Sequence, residues 1–151
     1  MTNVIEESSS RVFQEIRQMG TIGDSHLLCL HFLFKSTFEK ALDICDAGVV
    51  EQYSNAQTGQ TFFQVASLNP TSMHFPYTCT FKYCSCPAFI NIMMAQPHML
   101  YCKHILAAQL SACMQKVKVT EVHCEKWAEL FALDRNRIKE QYQESLQAAA
   151  T

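Results

Sequence analysis

Two short cysteine-bearing pairs set the strongest limit on what this chain can become. Cys84-Ser85-Cys86 and Cys102-Lys103-His104 give a Cys-x-Cys, fifteen intervening residues, then a Cys-x-His. Three thiolates and one imidazole form the donor set of a closed tetrahedral zinc site, so one Zn2+ per chain is expected on Cys84, Cys86, Cys102 and His104. Residues i and i+2 point the same way in a strand but about 200° apart in a helix. Cys84 and Cys86 are therefore expected to converge from the end of a strand, where Pro87 turns the chain, while Cys102 precedes a helix that carries His104 on its first turn. Buried thiols without metal are one alternative, since free cysteine is among the most buried residue types. A catalytic Cys and His dyad is another, but it needs an open electropositive site, and here three cysteines crowd one histidine.

The chain has eight cysteines in 151 residues, below the roughly 8–10% of a small secreted disulfide scaffold. Residues 1–10 lack the charged and apolar regions of a signal peptide, so a reducing compartment inside the cell is expected. No window approaches the roughly 18 apolar residues of a membrane span, and no membrane role is expected. Cys79, on the apolar side of its strand, is read as core, as are Cys29, Cys45 and Cys113 in helical stripes. Cys124 with His123 is too isolated for a second site, and so are His26 and His31. His74 and His98 lack the Cys-x-His spacing.

The fold class expected is α+β. Residues 4–19 place Ile5, Val12, Phe13, Ile16 and Met19 on one helical face. Asp24 or Ser25 can cap a second helix through Phe34, apolar all round and so expected at the centre of the core. Ser36 and Glu39 have capping-box spacing before a third helix that Gly48 stops. Val49 to Ser54 and Thr61 to Val65 read as a hairpin joined by a polar loop containing Gly59. Tyr77 to Tyr83 reads as a third strand of a small antiparallel sheet, with Tyr77, Cys79, Phe81 and Tyr83 on its apolar face. Lys103 to Val117 and 122 to 146 return to helix, with Trp127, Leu130, Phe131, Ile138 and Tyr142 as buried candidates of the second. The divisions expected within one domain are helices and hairpin over 1–76, a zinc finger over 77–118 and a C-terminal helix over 119–151. Metal loss is expected to unfold the finger and spare the N-terminal helices.

Tyr83-Cys84-Ser85-Cys86-Pro87-Ala88-Phe89, followed by Cys102-Lys103-His104-Ile105-Leu106-Ala107, resembles the SWIM-type zinc finger. Leu33-Phe34, Ala41-Leu42-Asp43, Thr58-Gly59 and Phe63-Gln64-Val65 extend the likeness to the small SWIM subunits of Shu-type recombination complexes, over roughly Leu27 to Leu110. The resemblance carries ligand status onto Cys84, Cys86, Cys102 and His104 alone. It implies a non-enzymatic nuclear scaffold that pairs with a RecA-like recombinase paralogue and helps the main recombinase assemble on single-stranded DNA, which it touches through the complex. The chain itself has no G-x-x-x-x-G-K-[ST] phosphate loop, so nucleotide chemistry is expected from a partner.

Two surfaces follow from charge and apolarity. The spacer holds Phe89, Ile92, Met93, Met94 and Met99 with no charge between Lys82 and Lys103. It reads equally as cover over the zinc site and as a partner-binding patch. From Tyr77 to Lys118 there are four lysines and no acid. Three thiolates with one divalent ion leave a net of about +3, so a free-standing zinc module that binds nucleic acid directly is the rival reading.

Overall fold

The computed structural model describes residues 4–69, 76–89, 91, 101–130, 140, 143, 147 and 150. Three helices come first: α1 (Val4–Met19), α2 (Asp24–Phe34) and α3 (Ser36–Ala47). Then come β1 (Val50–Asn55), β2 (Thr61–Val65) and β3 (Tyr77–Cys79), followed by α4 (Lys103–Cys113) and β4 (Lys118–Val122). Residues 124–130 are helical. The α+β class is as expected, and no helix among the described residues is long and apolar enough to cross a membrane.

Helix α1 buries Val12, Phe13 and Ile16, the expected stripe. The start of α2 differs from expectation. Gly23 holds the capping position, and the His26 ring takes the Gly23 N–H on Nδ1 at 3.1 Å, while Nε2 meets Glu15 of α1 at 3.1 Å. Lys35, at φ 51°, turns the chain between α2 and α3, so Ser36 already lies inside α3 and the expected capping box with Glu39 does not form. Gly48 ends α3 at φ 67°, a conformation that costs a side chain with a Cβ more than glycine.

The sheet has the order β3-β2-β1-β4. β1 and β2 form the expected hairpin in the register Val50↔Val65 to Ser54↔Thr61. Its loop is organised by buried Asn55, whose Oδ1 accepts the Gln57 and Thr58 N–H groups at 2.9 and 3.1 Å. β4 departs from expectation: residues 119–122 do not belong to the helix expected over 119–151 but, with Lys118, pair in parallel with β1, so the sheet is mixed. β3 is also shorter than expected. It ends at Cys79, and the chain turns through residues 80–83 so that Cys84 returns opposite Cys79, with Thr80 N–H donating to Tyr83 O at 2.8 Å. Phe81 and Tyr83, expected on the buried face, are therefore exposed at the turn.

The centre of the core is α4, not α2. Helix α4 buries His104 to Ala108, Leu110, Ser111 and Cys113, and the small Ala107 and Ala108 let α3 and the sheet approach closely. α2 buries only His26, Leu30 and Phe34, and leaves Leu28 and Phe32 74% and 79% exposed. On the other face of the sheet, Phe62 stacks on Tyr53 at 5.2 Å and meets Trp127 edge-on at 4.8 Å.

Candidate metal centre

Each donor reaches the centre by a different local device. The turn at 80–83 sends the chain back along β3, and along that returning limb alternate residues face opposite ways. Ser85 turns toward β3, where its Oγ accepts the Thr78 N–H at 3.0 Å and its own N–H donates to Thr78 O at 3.0 Å. Cys84 and Cys86 consequently turn the other way, together. Cys102 is the residue that caps α4, with φ −82° and ψ 169°, and its Sγ accepts the Ile105 N–H at 3.5 Å. That sulfur sits at the positive end of the helix dipole, which favours a thiolate. His104 follows one residue inside the helix, and its ring lies 4.6 Å from that of Tyr77.

The four side chains are buried, and their ligand atoms all lie within 4.8 Å of one another. With zinc to sulfur distances of about 2.3 Å, tetrahedral donors stand roughly 3.8 Å apart, so this set closes on one ion with shifts of about an ångström. Its electrostatics also call for a cation. Hydrogen bonds from Cys102 and then Cys84 hold the Cys86 thiol far below the ordinary range, while donation to Cys84 and Cys86, together with burial, pushes Cys102 far above it. Three thiolates at this spacing need a positive charge among them.

The structure brings Cys84, Cys86, Cys102 and His104 together and leaves the other candidates outside. Cys79 is buried beside the group, its Sγ 3.9 Å from His104 O, but is not one of its members. Cys45 and Cys113 pack at α4: Cys45 Sγ receives the Ser111 hydroxyl at 3.3 Å and Cys113 Sγ lies 3.8 Å from Arg17 Nη2. Cys29 is half-buried. Cys124 is exposed at a helix start near Asn55 and Gln57, and His31 is exposed beside Glu39. Phe89, expected at a partner surface, is buried and meets Tyr83 edge-on at 5.9 Å, because it lies in a helical segment, residues 87–89, that turns its ring into the core. Ile92, Met93, Met94 and Met99 lie outside the described residues, as do His74, His98, Phe131, Ile138 and Tyr142.

Two contributors carry no motif signal. Ser85 is the unspecified residue of Cys-x-Cys, yet its hydroxyl fixes the limb between two donors. Tyr101, next to Cys102, sets its ring edge-on to Phe13 at 6.3 Å and Phe34 at 5.2 Å, which ties the centre to α1 and α2. The donors and the N-terminal helices thus share one core, and a centre that fails without troubling those helices is not what this packing provides.

Across 141 residues, 92% of the chain and 90% of the relative, the sequence is 33% identical to mouse zinc finger SWIM domain-containing protein 7. The chain belongs to that family. It is also 29% identical to the human protein of that name over 134 residues, 89% of this chain and 94% of that one. The zebrafish protein is 36% identical over 106 residues, 69% and 70% of the two chains. No family model matches. The motif resemblance and the relatives agree on a SWIM zinc finger protein with a metal-binding Cys and His cluster.

Proposed function

We propose that the chain is a non-enzymatic scaffold subunit of a Shu-type complex in the nucleus. It holds one Zn2+ on Cys84, Cys86, Cys102 and His104, pairs with a RecA-like recombinase paralogue, and promotes filament assembly by the main recombinase on single-stranded DNA during homologous recombination repair. The observation that carries this reading is the buried four-donor set in a chain of the SWIM family. Four protein donors leave no open coordination position for water or substrate, which suits a structural ion and not a catalytic one. The exposed Leu28 and Phe32 on α2 are apolar surface available to a partner.

The test is co-purification with the RecA-like paralogue, with elemental analysis of the same sample. One zinc per chain and a complex that Cys84→Ser weakens are expected. Full zinc occupancy in a His104→Ala, Cys102→Ser chain would sink the ligand assignment.

A second reading has its own observation. Phe81 and Tyr83, exposed on either side of exposed Lys82, resemble the stacking platforms of single-strand binders. As a direct binder, the isolated chain would show affinity for single-stranded DNA falling steeply with salt. As a scaffold it would show almost none.

A further inference from the structure

Cys79 and Cys84 stand directly opposite each other in an antiparallel pairing. The bonds on either side, Thr80 N–H to Tyr83 O at 2.8 Å and Ser85 N–H to Thr78 O at 3.0 Å, make this the non-hydrogen-bonded kind of pair. In such a pair the Cα atoms are roughly 4.5 Å apart and the side chains are close. A disulfide spans Cα separations of about 4.4–6.8 Å, so backbone register already suits a bridge. Only Cys84 belongs to the metal-binding group. Its sulfur therefore has two exclusive uses, as a metal donor or as a partner for Cys79.

We propose that Cys79 and Cys84 are a cross-strand thiol pair that a hydroperoxide closes to a disulfide once the metal has left, and that this bond bars the metal from returning. The inference rests on the zinc reading above. The Cys84 sulfur attacks one peroxide oxygen, the O–O bond breaks, water leaves and a sulfenic acid forms. The Cys79 sulfur then attacks the Cys84 sulfur, the S–O bond breaks and a second water leaves. Each sulfur is oxidised by one electron, and one hydrogen peroxide becomes two waters. Cys79 is suited to the second step because it lies directly opposite Cys84 across the antiparallel pairing and is not itself one of the four donors. Occupancy gates the reaction. Both thiols are fully buried, so an oxidant reaches them only when metal loss loosens the turn.

The test uses the full chain, zinc-loaded or stripped with a chelator, treated with hydrogen peroxide, alkylated and digested. Cleavage after Lys82 separates Cys79 from Cys84, so their disulfide holds two tryptic peptides together, whereas a bridge from Cys84 to Cys86 or Cys102 stays within one. The stripped chain should give the linked pair and lose zinc uptake until dithiothreitol restores it. The loaded chain should resist. Cys79→Ala should bind zinc when reduced, give no linked pair, and after peroxide fail to recover uptake with dithiothreitol, because unresolved Cys84 oxidises further. If that variant does not fold, fragmentation of the linked wild-type peptides decides alone, since it must place the bond on Cys79 and Cys84 and not on Cys45, Cys86 or Cys102 of the same two peptides. A Cys84 to Cys86 or Cys102 bridge, or unimpaired uptake by the oxidised chain, overturns the thiol pair while leaving the zinc reading intact. No zinc on the reduced chain overturns both.

Discussion

Ser85→Ala removes a single oxygen, and the structure fixes what that oxygen does. Ser85 and Thr78 are each 4% exposed, and the Ser85 Oγ accepts the Thr78 N–H at 3.0 Å. Alanine keeps the reverse bond from its own N–H to Thr78 O but strands a buried donor. An unsatisfied buried donor costs about 1–3 kcal/mol. For a chain of this length that corresponds to a fall in Tm of about 2–12 °C. Because the same limb aims Cys84 and Cys86, the cost falls on the metal-bound state, and zinc affinity should drop by roughly five- to a hundredfold. Thermal unfolding of the zinc-loaded chain and competition against a chromophoric chelator measure the two effects. The control is Ser67→Ala, whose hydroxyl accepts the Asn69 N–H at 3.2 Å in an exposed loop, where water substitutes. Its cost should stay within about 0.5 kcal/mol. If Ser85→Ala costs no more than Ser67→Ala in both assays, the hydroxyl does not hold the limb.

Chelating the metal should reduce amide protection in α1 and α2 as well as around the centre, because Tyr101 wedges between Phe13 and Phe34; full protection of residues 8–34 in hydrogen exchange would contradict this. Stability should fall as pH rises above about 9, since burial raises the Cys45 and Cys113 thiols above their ordinary 9.0, so that the unfolded chain releases protons the folded chain keeps. Urea unfolding from pH 7.5 to 10 checks the sign, and a Cys45→Ala, Cys113→Ala chain with an unchanged alkaline slope would refute the assignment. Replacing both Leu28 and Phe32 with Ser should leave stability within about 0.5 kcal/mol, because both side chains already face water; a Tm loss of more than a few degrees would mean that they are covered.

The donors were legible because metal chemistry is written in residue type and spacing together. Two cysteines at i and i+2 share a direction only in extended chain, and a cysteine two before a histidine suits a helix start, so the two pairs required different elements. Ser85 was not legible. Its role depends on the turn at 80–83, and Thr80-Phe81-Lys82-Tyr83 contains none of the glycine, proline or asparagine that marks a turn. The period-two alternation from Tyr77 continues through it, so one seven-residue strand and a short strand that doubles back have the same pattern. The cross-strand meeting of Cys79 with Cys84 was hidden for the same reason.

The remaining misreadings concern what each apolar surface packs against, which local periodicity does not encode. Lys118 to Val122 is rich in branched residues, but its partner β1 lies more than sixty residues earlier in a parallel register, and a parallel strand announces no hairpin. Helix α2 is apolar on every side, and that pattern alone cannot separate burial from an uncovered face. α4 reaches the centre because Ala107 and Ala108 admit close neighbours, whereas the bulky Leu28 and Phe32 face outward from α2. Covering them would shield two large apolar side chains, each contributing about 1.5–3 kcal/mol when fully buried. A chain that already encloses its own core in α4 gains nothing internally from that surface, so the exposure of Leu28 and Phe32 is set by what α2 packs against and not by its own composition.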